Sequence, residues 1–502
     1  MTYILEQNKM AFDAAFVQFT GSARPVEPLS LGYHHPDQEI LNNTETFRTI
    51  DQEGRQFDMI LESSDHATEL SNFMQASVKQ GDVLTDSMYR ILGVEMKALS
   101  QTTTTPYDAL PALESLDGNM SRRELTIAME NMVTDAIKGI WEKLRDAFLS
   151  IHKKIKDWYL KAWDGSVRLQ KQAEALKARA EQLNTPPKEP SFEMGGVKLL
   201  NIAGKIPAPS ELIQALGSIE TVSNTILTKT AENYNKLFDR WKPVLDSLIE
   251  QAKKMKGSDS APDDQGNPKV GMGDAFGGID TVQATTGASI TNGAGGQFTS
   301  NGEVNKFVQE LNADWSESMK NIGIDQVIQD ARWDKEGVEV KRSKFELPGG
   351  FMIVATNPVD QQGKGLTVAD YSSLKTAYTF AIASVVNPPK EVDDNGSFKT
   401  LNSTEITNIC DNVINQCKVF LNYKLLYQQR DRSTENLVKQ MEQHVSSTGN
   451  LVGTGSTHVK NTIQTTMALI KKLNGGEAAW CKYTMQVLNK SINYCKGSLS
   501  QY

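Results

Sequence analysis

IKGIWEKLRDAFLSIHKKIKDWYLKA, residues 137–162, decides the fold class. Ile137, Trp141, Leu144, Phe148, Ile151, Ile155, Trp158 and Ala162 recur at alternating steps of four and three residues. A helix turns once in about 3.6 residues, so these steps place all eight side chains on one face. Asp164-Gly165 reads as an interruption. The stripe then resumes as Leu169, Ala173, Leu176, Ala180 and Leu183, and Pro186-Pro187 stops it. Ser121 followed by Glu124 fits a capping box at the helix start. Sustained apolar spacing of this kind predicts a helical hairpin or coiled-coil-like packing.

Working outward, the same pattern recurs on both sides. DHATELSNFMQASVKQ and VLTDSMYRILGVEMKALSQ, within residues 65–101, carry apolar residues at helical spacing with a break at Gly81-Asp82. Residues 208–256 predict further helix, and long helices are expected at about 366–386, 403–446, 457–474 and 477–496. The last carries Cys481, Met485, Leu488, Ile492 and Cys495 on one face. Phe307, Leu311, Trp315 and Met319 suggest another helix. GVEVKRSKFELPGGFMIVATNP predicts a β-hairpin or small meander at about 337–357, with Pro348-Gly349-Gly350 as its turn. The fold class is therefore mainly α, long amphipathic helices in a bundle, with one small β element.

Composition divides the chain. Residues 1–114 hold 7 Lys and Arg against 17 Asp and Glu, a net of −10, whereas 115–502 hold 46 against 44, a net of +2. SARPVEPLSLGYHHPDQ, near the start, is rich in turn formers and reads as irregular. Residues 101–119, QTTTTPYDALPALESLDGN, have the Thr run, prolines and Gly of an exposed linker. Residues 257–302 contain 11 of the 36 glycines and few large apolar side chains, so they read as a second linker. Four segments are expected: an acidic region 1–114, a basic amphipathic helical region 115–256, the Gly/Ser-rich stretch 257–302, and a C-terminal helical domain 303–502 carrying the hairpin.

The 502 residues have a mean hydropathy of −0.42 and 39% hydrophobic residues, the composition of a folded, polar protein. No apolar run approaches the ~18 residues of a membrane span, and the first residues show no secretory signal. Four cysteines point to a reducing compartment. Cys410, Cys417, Cys481 and Cys495 lack CxxC spacing and read as small buried hydrophobes. His34-His35 is the one histidine cluster, without a ligand-spaced partner. There is no GxSxG, no GxxxxGK[ST] and no strand-linked GxGxxG. No catalytic residue, metal ligand or cofactor is assigned.

The basic residues Lys138, Lys143, Arg145, Lys153, Lys154, Lys156 and Lys161 flank the stripe and are candidates for DNA or partner contact. Three physical uses are open. The stripe can be a core or oligomer face with solvated lysines. The lysines can rest on DNA phosphates, a non-specific and salt-sensitive contact. Or the helix can lie on an anionic membrane with its tryptophans at the interface. Glu142, Asp146 and Asp157 dilute both electrostatic uses.

ALPALES (109–115), AIKGIWEKL (136–144) and LQKQAEALKARAEQL (169–183), in that order, resemble the central part of the internal head (inner body) proteins of large tailed bacteriophages, the phiKZ-like giant phages and their T4-like relatives. The resemblance covers residues 108–183. It implies a structural virion protein of the capsid interior, present in the host cytoplasm during assembly, with capsid and inner-body proteins and a prohead protease as partners. It also implies an N-terminal propeptide removed by a cut after Glu in a small-x-Glu context. Ala112, Leu113, Glu114 and Ser115 fit, with the cut between Glu114 and Ser115 and an acidic net of −10 shed from a body of +2. The triplet also ends at Glu69, Glu130, Glu193, Glu220, Glu405 and Glu435, but the Pro-flanked linker favours Glu114. A host-directed or membrane-active effector, transient membrane contact, an oligomer, and an enzyme of unfamiliar type in 303–502 are the other expectations carried forward.

Overall fold

A computed structural model describes residues 47–50, 52–61, 63–64, 122–232, 235, 313–328, 338–358, 380–384, 393–447 and 454–502. The elements are α1 (Arg122–Ala180), β1 (Ser191–Gly195), α2 (Val197–Leu200), α3 (Pro209–Asn224), β2 (Ile324–Val327), β3 (Val338–Ser343), β4 (Phe351–Pro358), β5 (Phe380–Ser384), β6 (Asn395–Lys399), α4 (Ser403–Ser447) and α5 (Thr454–Leu499). The mainly α expectation holds, and the strands form two small sheets.

α1 is one helix of 59 residues, about 90 Å at 1.5 Å per residue. Its stripe is buried from Ile140 through Trp141, Leu144, Phe148, Ile151, Ile155, Trp158 and Ala162, then Leu169, Ala173, Leu176 and Ala180. The expected interruption at Asp164-Gly165 is absent. Ser166 fills the missing stripe position: it is buried, and its hydroxyl donates to the Ala162 carbonyl at 3.0 Å. A Cβ at Gly165 would meet the Met485 methyl at 3.4 Å, an ordinary packing distance. The helix does not fold back as a hairpin. It packs instead against α4 and α5, far along the chain.

The other stripes meet it there. α4 buries Ile406, Ile409, Cys410, Val413, Cys417, Phe420, Tyr423, Tyr427 and Leu437, and α5 buries Ala478, Trp480, Cys481, Met485, Leu488, Ile492, Cys495 and Leu499. α4 begins with a capping box: Asn402 accepts from the Glu405 N–H at 2.9 Å, and Glu405 accepts from the Asn402 N–H at 2.8 Å. Ser403 also donates to the Ala180 carbonyl at 2.7 Å, joining the Leu183 N–H there at the end of α1. α3 starts with Pro209 and continues as a π-helical turn, Thr225–Thr230, and both pack on α4.

β3 and β4 form the expected hairpin, with Val338 opposite Pro358 and Arg342 opposite Val354. Gly349 and Gly350 adopt φ of 86° and 74°, conformations that favour glycine at the turn. The sheet is wider than the hairpin, in the antiparallel order β2-β3-β4-β5. Two helical expectations change here. Residues 380–384, placed at the end of a helix over 366–386, are strand β5, and 366–379 lie outside the described residues. The helices expected at 457–474 and 477–496 are one element, α5, running through Gly475-Gly476. A Cβ at Gly476 would stand 2.5 Å from the Phe380 carbonyl oxygen. That glycine serves the close approach of β5 and does not end the helix.

β1 pairs with β6 across about two hundred residues of chain, Ser191 opposite Lys399 and Gly195 opposite Asn395. One hydrophobic core cluster runs from Ile50 to Leu499. The described parts of 1–114, 115–256 and 303–502 all contribute to it. The expected linker 257–302 lies outside the described residues.

The two glycines of α5 give opposite expectations. Nothing stands within 4 Å of a Cβ at Gly475. Gly475→Ala should stabilise by about 0.5–1 kcal/mol, the usual helix preference for alanine. Gly476→Ala should destabilise by about 1–3 kcal/mol, because backbone must move to admit the methyl. Urea midpoints of the two variants check both signs.

Candidate functional site

The basic residues of α1 scatter rather than converge. Lys138 lies on the helix, but its side chain is outside the described residues. Lys143 is half-buried, and burial lowers its pKa. Arg145 donates to its neighbour Asp146 at 2.8 Å. Lys154 pairs with Glu53 and Lys156 with Asp431, the latter at 2.6 Å. Lys153 and Lys161 are exposed. Ala112, Leu113, Glu114 and Ser115 lie outside the described residues.

The tryptophans that suggested a membrane face are interior. Trp141, Trp158 and Trp163 are 0%, 4% and 4% exposed, so none is available to an interface as the protein stands. No helix among the described residues is long and apolar enough to cross a membrane.

Two polar clusters bind the long helices together, and neither was foreseen. In the first, the fully buried Arg430 of α4 meets Glu477 of α5, 3% exposed. Nη2 donates to Glu477 Oε1 at 3.1 Å, Nη1 donates to Oε2 and to Asn474 Oδ1, the latter at 3.0 Å. Tyr423 donates to the same carboxylate at 2.5 Å and lies 3.4 Å from the Tyr159 hydroxyl of α1. Burial opposes the Arg430 charge, and the facing Glu477 more than offsets it, so its pKa rises. Burial and the same carboxylate push Tyr423 well up. The cluster is a clasp of three helices, with Arg430 Nε left buried and without a hydrogen-bond partner.

In the second, Asp431 receives His152 Nε2 at 2.7 Å and Lys156 Nζ at 2.6 Å. The imidazole lies between the rings of Phe148 and Tyr427, each within 13° of parallel. Burial lowers the His152 pKa, against the pull of Asp431. The geometry explains the sign. Nδ1 is buried without a hydrogen-bond partner, so a second ring proton would have nowhere to donate. The Asp431 carboxyl is held low by Lys156 and His152, which overcome its burial.

The sequence carried a signal for the first cluster. Arg430 and Glu477 each sit on an apolar stripe position, Arg430 between Tyr427 and Leu437, Glu477 before Cys481. A charge on each of two stripes is a reason to look for one buried pair. The second cluster gave no such pattern, since Asp431 is one of many charges on α4.

All four cysteines are buried and free. Burial pushes the Cys417 thiol up to about 12, which leaves it protonated and a poor nucleophile at neutral pH. Among the described residues no group of three His, Cys, Asp or Glu could hold a metal ion.

Glu477→Leu alone should cost about 3–5 kcal/mol, since it leaves the Arg430 charge buried and unpaired. Arg430→Met together with Glu477→Leu should recover most of that loss, because both charges then leave together. Chemical denaturation of the two variants tests the clasp, and an additive double variant would contradict it.

No curated protein and no solved structure matches the chain. The family model described as phiKZ-like phage internal head proteins matches residues 49–497. That span reaches well beyond the resemblance at 108–183: it takes in the C-terminal helices α4 and α5, and it begins upstream of Glu114. The chain belongs to the phiKZ-like phage internal head proteins, structural components of the virion's capsid interior that associate with other capsid components.

Proposed function

We propose that this internal head protein is made as a precursor, that a prohead protease cuts it between Glu114 and Ser115, and that it is packed beside the genome. One observation carries the choice of bond. A protease binds its substrate extended, so a bond in regular structure must first unfold. Of the competing small-x-Glu sites, Glu130 lies in α1, Glu193 in β1, Glu220 in α3, and Glu405 and Glu435 in α4. Each is held by helix or sheet hydrogen bonds. Glu69 and Glu114 lie outside the described residues, and only Glu114 has the Thr run and prolines of 101–119 around it.

The DNA contact is modest in this reading. Lys154 and Lys156 are engaged within the fold, and among the described side chains Lys153 and Lys161 are the exposed lysine candidates for phosphate. Glu142, Asp146 and Asp157 are exposed on the same helix. Contact of this kind is non-specific, weakens with salt and suits a protein that must lie close to DNA without gripping it. Assembly through the host cytoplasm follows from building the head there.

Tryptic mass spectrometry of purified virions, with chemical labelling of free N-termini, tests the cut. A labelled peptide starting at Ser115 is expected. The intact tryptic peptide running from Ala98 to Arg122 as the sole form would contradict it. Glu114→Gln should abolish the labelled species.

A further inference from the structure

The described part of the acidic N-terminal region belongs to the core. Residues 47–50, 52–61 and 63–64 are helical and lie against α1 and α5. Phe57 is fully buried, and Ile50, Ile60 and Leu61 are 7%, 3% and 8% exposed. Phe47 meets the Trp158 ring edge-on at 5.1 Å, and Phe57 lies 6.1 Å from Phe148. Charge follows the same pattern. Glu53 accepts from Ser150 at 3.0 Å and pairs with Lys154. Lys471 of α5 pairs with Asp58 at 2.7 Å, donates to the Gly54 carbonyl at 2.7 Å and lies over the Phe57 ring. Lys482 lies over the Phe47 ring, 4.4 Å from its centre. The family match starts at residue 49, at this segment and not at Ser115.

We infer that residues 47–64 are held in the groove between α1 and α5 by side-chain contacts strong enough to survive loss of the covalent connection, so that the precursor cut at 65–121 persists as two associated chains. The partner that fits this surface is the protein's own excised N-terminal piece. Its biological setting rests on the proposed cut after Glu114; the docking itself does not. Processing then nicks the protein, and the net charge of −10 stays with the body. The groove keeps its cover, because the aromatic rings of Phe148 and Trp158 would otherwise meet water.

The test uses the full chain with a recognition sequence for an unrelated site-specific protease placed between Thr105 and Pro106. After complete cutting, native mass spectrometry and size-exclusion chromatography should find both pieces together in equal amounts, parting only in denaturant. Phe57→Ala in the same chain should weaken that association by about two orders of magnitude or more. An N-terminal piece that elutes alone from the unmutated protein, whether or not the remainder stays folded, overturns the inference. Because the engineered cut needs neither Glu114 nor a prohead protease, failure of the processing reading leaves this result intact, and the reverse also holds.

Discussion

Three long helices each carry one apolar stripe, and no pair of them can bury all three. α1 has 59 residues, α4 45 and α5 46. Helices of this length gain little net stability from backbone hydrogen bonds alone, and most of what holds them comes from the packed face. Removing any one would leave two rows of Leu, Ile and aromatic side chains in water, at about 1.5–3 kcal/mol for each large residue. The smaller parts settle on this frame. The π-helical turn after α3 packs on α4, β5 lies on α5 across Gly476, and β1 reaches β6 over the end of α5.

Within that frame, interior charge fixes how the helices register. An apolar stripe can slide by a turn at modest cost, but a buried guanidinium cannot lose its carboxylate. Arg430, Glu477, Asn474 and Tyr423 join α4 to α5, and Tyr159 brings α1 to the same point. His152 and Lys156 on Asp431 repeat the arrangement between α1 and α4.

The helices were legible because 3.6-residue periodicity is a local property, and the turn at Pro348-Gly349-Gly350 was legible because backbone conformation selects its residues. Glycine misled where its reason was tertiary. Gly165 and Gly476 read as breaks, yet the helix runs on through the first, and the second makes room for the Phe380 carbonyl. Strands β1, β2, β5 and β6 were missed because short strands paired outside the hairpin leave no periodic trace. The basic residues of α1 were legible as a set but not as individuals. Whether Lys156 serves DNA or Asp431 depends on α4, some 275 residues away. The composition boundary near Glu114 was read as a seam between two bodies, and Phe57 and Ile60 cross it.

This phage head protein combines a frame of three long helices with an N-terminal segment, residues 52–61, packed on it. That packing is the central claim, and amide hydrogen exchange on the uncut protein reads it most directly. Amides of residues 52–61 should exchange as slowly as those of Ile151–Ser166 in the middle of α1, through opening of the whole core. Fast exchange in 52–61 beside slow exchange in α1 would show a loosely attached extension and contradict it.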